Sequence, residues 1–176
     1  MTERGFSKQV KKFLIKNLKP KYPEIKIAER VNVLVNLTVG KVKSEWKVML
    51  GFLEQDLVLY KDEIEISKIK AEGIFIPRAT KDKKIVIPLA VIELKLGKNV
   101  NTHQFLTYSY IAKELKTTFP YCAYYFVCSE EKFRPETLLR HTKGFDRIFT
   151  NWKRDKNTLL SDLILHLNYL KRVRVL

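Results

Sequence analysis

The chain has 176 residues, which suits a single domain spanning residues 1–176 and gives enough length for a buried core. Hydrophobic residues make up 45%, which excludes a disordered chain. The formal net charge is +15, from 34 Lys and Arg against 19 Asp and Glu. A charge of this size favours a polyanionic partner, nucleic acid first, and the alternative is a lysine-rich surface with no such partner.

Cysteine content and hydropathy indicate where the protein works. Cys122 and Cys128 lie in the apolar stretch YCAYYFVC, at a spacing that is not a metal-ligand pattern. We expect both to be buried free thiols, which fits a reducing compartment. No stretch approaches the length of a membrane helix. The sequence therefore predicts a cytoplasmic protein without a membrane segment.

The predicted elements are a helix, a series of strands, a helix, a strand and two final helices. A helix is predicted over residues 6–18, with Ser7 as its cap or in its first turn. Strands follow at residues 25–39, 46–60, 63–70 and 85–96. The segment 46–60 forms either one strand or two strands that meet at Gly51. A helix capped by Thr102, a strand, and two further helices are predicted at residues 103–116, 121–129, 135–141 and 158–171. This order predicts an α/β fold with one sheet covered by helices.

Two opposite charges interrupt the most apolar strand. Glu93 and Lys95 lie at the end of a run that begins at Ile85. Residues two apart on a strand point to the same face, so both side chains project together. An unpaired charge at a buried position is costly, so partners are required. The simplest interpretation is that they pair with each other or meet solvent at the end of the strand.

Asp56 opens another apolar segment, DLVLY. If its strand neighbours the strand of Glu93, the two carboxylates converge, and each raises the pKa of the other. A divalent cation removes that penalty, and Mg²⁺ is bound by one or two carboxylates plus waters. A metal-bound water is a nucleophile for phosphorus, and Lys95 on the same face can stabilise the charge that develops on the phosphate.

Gln104 and Tyr108 form a third candidate element, on the helix that follows the strand of Glu93. They are four residues apart and therefore share a helix face. Such a pair can hold the lysine and a substrate phosphate. The alternative is an ordinary amphipathic helix, with Tyr108 in the core and Gln104 at its rim.

The order Asp56, Glu93-Leu94-Lys95, Gln104-x-x-x-Tyr108 resembles the PD-(D/E)xK nuclease superfamily over roughly residues 50–110. The Gln/Tyr motif is similar to its RecB-type branch, and DLVLY with IPLAVIELK to the nuclease domain of type I restriction motor subunits. The resemblance implies a restriction-endonuclease-like fold, a central mixed β-sheet flanked by helices, and Mg²⁺-dependent cleavage of DNA, with Mn²⁺ as a substitute. It makes Asp56 and Glu93 metal ligands, Lys95 the catalytic lysine, and Gln104 and Tyr108 a supporting pair.

The sequence departs from the family pattern in two ways. Gln55 stands where the family name has proline, and the gap from Asp56 to Glu93 is long enough to require an extra strand or hairpin. Asp82 is a nearer rival for Asp56, but its lysine-flanked turn is typical of a solvated surface. Glu3 and Glu29 are both candidates for the upstream glutamate that often joins such a site.

The leading hypothesis is a Mg²⁺-dependent DNA endonuclease, restriction-like or junction-resolving, that acts as a homodimer. A non-catalytic nucleic-acid-binding protein, a ribonuclease and an exonuclease remain alternatives. The segment KGFDRIFTNWKRDKN, at residues 143–157, mixes aromatic and basic residues. It either contacts DNA or contributes aromatic side chains to the core.

Overall fold

The computed structural model describes residues 1–66, 74–75, 84–97, 100–130 and 143–176. The described helices are α1 Glu3–Leu18, α2 Thr102–Thr118 and α3 Trp152–Arg172. The described strands are β1 Lys26–Val42, β2 Glu45–Glu65, β3 Ile74–Phe75, β4 Lys84–Lys95, β5 Ala123–Cys128 and β6 Arg147–Phe149. The predicted helix at 135–141, the turn that carries Asp82 and the end of the predicted strand at 63–70 lie outside the described residues.

The strands form one mixed sheet in the order β1-β2-β4-β5-β6, with β3 beside β2. The β1–β2 and β2–β4 pairs are antiparallel, whereas the β4–β5 and β5–β6 pairs are parallel. The segment predicted as one or two strands around Gly51 is a single strand. The α/β architecture predicted from the sequence, a central mixed sheet flanked by helices, is confirmed.

The helices cover both faces of the sheet. One core joins α1 and α3 to residues such as Leu57, Ile92 and Leu94. A second core joins α2 to Val58 and Val91. Successive residues of β2 and β4 therefore face opposite sides of the sheet, and a short central part of β2 and most of β4 are buried on both sides.

Helix α1 follows from its apolar spacing. Phe6, Val10, Leu14 and Leu18 recur every four residues, and all four are buried. Thr2 caps the helix, because its hydroxyl accepts a hydrogen bond of 3.1 Å from the Gly5 main-chain N–H. The prediction that Ser7 caps the helix or lies in its first turn is therefore wrong. The helix begins at Glu3, four residues before Ser7, and the Ser7 side chain contacts Glu29 of β1.

Helix α3 begins at Trp152 instead of residue 158, and Asn151 is its cap. Trp152 is only 3% exposed and packs edge-on against Phe6 and Phe13 of α1. Phe149, in the unpredicted strand β6, is also buried. Of the two interpretations of residues 143–157, the core contribution is therefore the correct one for these aromatic side chains.

Three smaller features complete the fold. Asn101, not Thr102, caps α2, since its side chain accepts a hydrogen bond from the Gln104 N–H. Cys122 and Cys128 are both buried and form no disulfide bond with each other, as predicted. Among the described residues, no helix combines the length and apolar character that crossing a bilayer requires.

Candidate functional site

The antiparallel pairing of β2 and β4 brings the first two candidate residues together. Leu57 lies opposite Ile92 in the register, so Asp56 and Glu93 occupy neighbouring positions on adjacent strands. Lys95 bridges them: its Nζ lies 2.7 Å from Glu93 Oε1 and 3.7 Å from Asp56 Oδ2. The convergence expected from the sequence is thus present in the fold.

The two carboxylates have different surroundings. The Glu93 side chain is 4% exposed, whereas the Asp56 side chain is 37% exposed. Asp56 is also held in place, because its Oδ2 accepts a 2.9 Å hydrogen bond from the main-chain N–H of Leu94. The pair therefore consists of one buried carboxylate and one that opens to solvent.

Burial and the nearby charge of Asp56 raise the pKa of Glu93 to about 7, although Lys95 acts in the opposite direction. Burial lowers the pKa of Lys95, but the negative charge and hydrogen bond of Glu93 outweigh it, and the net pKa is raised. Lys95 therefore stays protonated. The site holds one fixed cation and two carboxyl groups, of which Glu93 has a pKa near neutrality.

Tyr108 contacts the same cation from helix α2. Its ring centroid lies 4.7 Å from Lys95 Nζ, a cation–π distance. Burial, followed by the charge of Glu93, raises the pKa of the Tyr108 hydroxyl, so it remains neutral. Tyr108 thus limits the positions available to the lysine.

Gln104 has a different contact. Its side-chain oxygen accepts a hydrogen bond of 3.1 Å from the Asn101 N–H, while its own N–H donates to Asn101 Oδ1. This reciprocal pair is a capping box at the start of α2. The structure therefore shows a capping contact for Gln104, and its supporting role in the site stays a prediction.

A cavity of about 230 Å³ opens beside Asp56 and is lined in part by Glu3, Arg4, Glu29 and Arg30. Both glutamates considered from the sequence border it. Glu29 is already engaged: its carboxylate accepts a 2.6 Å hydrogen bond from the Ser7 hydroxyl and lies 3.4 Å from Lys11 Nζ.

Two features of the site have no counterpart in the sequence argument. Gln55, which is 2% exposed, accepts a 3.0 Å hydrogen bond from the Tyr124 hydroxyl of β5. Burial raises the pKa of Tyr124 well above its usual value, so its hydroxyl is a permanent donor. The sequence does indicate that Tyr124 needs such a contact, since the hydroxyl of a tyrosine in a fully buried strand requires a polar partner.

Arg30 is the second of these features. It adopts a left-handed conformation, with φ of 56°, near the start of β1, and its neighbours Glu29 and Val31 pair with Leu57 and Gln55. This conformation is strained for a residue with a side chain. It places an exposed arginine at the cavity that Asp56 lines, and nothing in the sequence indicates such a dihedral angle.

The residues fit a divalent cation. Asp56 and Glu93 supply hard oxygen atoms, and burial, followed by the charge of Asp56, raises the pKa of Glu93 to about 7, so a cation beside both carboxylates would favour the ionised form of Glu93. In the described part of the chain no three acidic, histidine or cysteine side chains cluster closely enough to enclose a metal. Two carboxylates are a ligand number that suits Mg²⁺, which fills its remaining positions with waters and substrate oxygens.

The fold is similar to a solved structure of a restriction endonuclease, BbvCI, in its native A2B2 tetramer, with a TM-score of 0.53 over 82% of this chain. The sequences are 14% identical, so the likeness concerns the fold. This chain spans 60% of the length of the BbvCI chain that it matches. No family model and no curated protein matches the sequence. The fold is thus restriction-endonuclease-like.

Proposed function

We propose that this chain is a metal-dependent DNA endonuclease of the PD-(D/E)xK type. The observation that carries the proposal is the convergence of Asp56, Glu93 and Lys95 from adjacent strands, within 3.7 Å of the lysine nitrogen. The fold likeness to BbvCI and the net charge of +15 support it. The assignment to the RecB-type branch rests on Gln104 and Tyr108 alone.

In the proposed mechanism Asp56 and Glu93 hold Mg²⁺ or Mn²⁺. The ion, when bound, supplies a Lewis acid and lowers the pKa of a coordinated water. Because Asp56 is tied to the Leu94 N–H and Glu93 is buried, both ligands are preorganised by the strands.

Lys95 has the second role in the proposal. It balances the charge of the two carboxylates and offers N–H donors to the charge that develops on a phosphate. The ring of Tyr108 restrains it from the α2 side. Arg4 and Arg30, which border the cavity, offer further donors to phosphate oxygens.

Substrate and assembly follow from the same proposal. One such site cuts one strand, so cleavage of a duplex calls for two copies of the chain. BbvCI is an A2B2 tetramer, and we propose a homodimer for this chain. Restriction-like and junction-resolving action both fit this arrangement.

The test is cleavage of supercoiled plasmid and of branched DNA with Mg²⁺ or Mn²⁺. Asp56→Asn, Glu93→Gln and Lys95→Met should each abolish metal-dependent cutting. Asp62→Asn is the matched control, because Asp62 is an exposed aspartate on the same strand, six residues further along. It should cut at the wild-type rate.

The products then decide between the alternatives. Nicked or linear plasmid supports an endonuclease, whereas release of mononucleotides from ends indicates an exonuclease. Cleavage of RNA and not of DNA would indicate a ribonuclease. A wild-type protein that binds DNA but cuts no substrate would contradict the proposal and leave the non-catalytic binding protein.

A further inference from the structure

Four basic residues form a continuous ridge along helix α1. Arg4, Lys8, Lys12 and Lys16 recur at intervals of four residues and are all exposed. Residues at this spacing lie one above another on a helix surface. The α1 ridge, as we call this set, is about 18 Å long at about 1.5 Å per residue.

The charge of the α1 ridge is not neutralised within the described part of the chain. None of its four side chains forms an ion pair there, whereas the neighbouring Lys11 pairs with Glu29. Like charges four residues apart destabilise a helix. Among the described residues no ion pair relieves this repulsion, although Lys16, in the last turn, is favourably placed for the helix dipole.

The α1 ridge leads to the candidate site. Arg4, at its first position, lines the cavity that contains Asp56. Lys8, Lys12 and Lys16 line a second cavity, of about 410 Å³. Glu29 borders both cavities, so the two adjoin.

We propose that the α1 ridge binds the phosphodiester backbone of duplex DNA on one side of the bond held beside Asp56 and Glu93. This inference rests on the proposed function and names the surface that its substrate occupies. A strand rises about 3.4 Å per nucleotide, so a ridge of about 18 Å spans about five phosphates. These contacts position the duplex and carry no sequence information.

An acidic protein is the competing partner, and the composition of the surface argues against it. Protein interfaces contain an apolar core. The second cavity has one apolar lining residue, Ile15, which is 38% exposed, and its other lining residues are charged. The lysine ammonium groups of this lining suit phosphates, which a lysine contacts as a point charge.

The test compares DNA binding by wild type and a ridge variant, Lys8→Gln, Lys12→Gln and Lys16→Gln combined. Arg4 is kept because it borders the Asp56 cavity. Affinity for a fluorescent duplex is measured in EDTA, without divalent metal, so that binding is read independently of cleavage. Salt is varied between about 50 and 200 mM. The plot of log K against log salt has a negative slope, and each lost phosphate contact makes it less steep by about 0.9.

For the ridge variant this slope should be less steep by about three. Its affinity at the lower salt concentrations should fall at least about tenfold. The matched control combines Lys43→Gln, Lys113→Gln and Arg172→Gln, three exposed cations on the β1–β2 turn, α2 and α3. It removes the same total charge. Its slope should change by less than about one.

Equal effects of the ridge variant and the control would overturn the proposal, because binding would then follow net charge. Failure of the wild type to bind duplex DNA would overturn it too, as would competition by polyglutamate as effective as competition by DNA. Thermal melting excludes a trivial loss of structure: the ridge variant should melt close to the wild-type temperature, since the three substituted side chains are exposed.

The two proposals fail separately. If DNA binding depends on the ridge but the protein cuts no substrate, the proposed nuclease activity is contradicted and the proposed DNA-binding surface is supported. If the protein cuts DNA with metal but its DNA binding does not depend on the ridge, the nuclease activity is supported and the DNA-binding surface is contradicted.

Discussion

The main-chain N–H of Leu94 donates a 2.9 Å hydrogen bond to Asp56 Oδ2. Leu94 lies between Glu93 and Lys95, so the strand that carries two of the candidate residues also fixes the third. The side chains of Glu93 and Lys95 turn to the α2 face with Val91, and the backbone between them binds Asp56. Three candidate groups are therefore positioned by one strand pair.

Lys95→Met should destabilise the metal-free protein. Glu93 and Asp56 would lose the cation that both contact, which for a buried pair costs roughly 3 kcal/mol of the free energy of unfolding. Urea unfolding in EDTA at pH 8 measures the loss. Added Mg²⁺ should restore part of it, because a bound cation replaces the lysine charge.

Lys84→Met is the control for that experiment. Lys84 pairs with Glu63 at 2.9 Å on the surface, where solvent screens the two charges, so its loss should cost much less stability than the loss of Lys95. Mg²⁺ should stabilise this variant as much as it stabilises the wild type, because the Asp56–Glu93 site is intact, so the difference between the two should not change. Equal losses in the two variants would contradict a special role for the charge of Lys95.

The raised pKa of Glu93 predicts a pH-dependent stability in EDTA. Glu93 titrates near 4.5 in the unfolded chain and near 7 in the fold, so the folded state binds the proton more tightly. Its contribution is present below about pH 4.5 and is lost as pH rises through about 7. The full loss is roughly 3 kcal/mol.

Glu93→Gln isolates this titration, because glutamine mimics the protonated acid. The variant and the wild type should unfold at the same urea concentration near pH 4. At pH 8 the variant should be more stable, by roughly 3 kcal/mol. A difference that does not change with pH would show that Glu93 does not titrate in this range.

Tyr124→Phe should destabilise the protein although it removes a single oxygen atom. Gln55, which is buried, would lose the hydroxyl that donates to its side-chain oxygen, at a cost of about 1–3 kcal/mol. Gln55→Leu should cost a similar amount. The double variant should be more stable than the sum of the two predicts, because neither polar group then lacks a partner. Strict additivity in urea unfolding would argue against the hydrogen bond.

Gln104→Ala separates helix capping from a role in catalysis. Loss of the capping box should cost about 1 kcal/mol of stability. Asn101→Ala breaks the same box from its other side and is the matched control. If Gln104 supports the reaction, as the sequence motif predicts, its variant should cut DNA more slowly than the Asn101 variant at equal stability. Equal rates would assign Gln104 to the cap alone.

Periodicity alone determined several parts of this protein. The spacing of Phe6, Val10, Leu14 and Leu18 predicted α1, and the unbroken apolar run predicted that β4 is buried on both faces. The placement of Glu93 and Lys95 on one face of that strand also followed, since side chains alternate along a strand. These features depend on residues close in sequence, which is why the chain itself reveals them.

Other features depended on residues distant in sequence. The start of α3 was missed because Trp152 is followed by a polar run, and its apolar partners Phe6 and Phe13 belong to α1. The choice of Asn101 over Thr102 as a cap depended on which side chain reaches the Gln104 N–H. Two neighbouring polar residues offer the same chemistry, and only the chain path distinguishes them.

The site itself shows the same division. The sequence supplied Asp56, Glu93, Lys95 and Tyr108 as candidates, but their meeting required the register that places Leu57 opposite Ile92. A shift of one residue would turn the side chains of one strand to the other face. Tertiary structure therefore decided whether the carboxylates meet, because register is set by packing on both faces of the sheet and not by any local pattern.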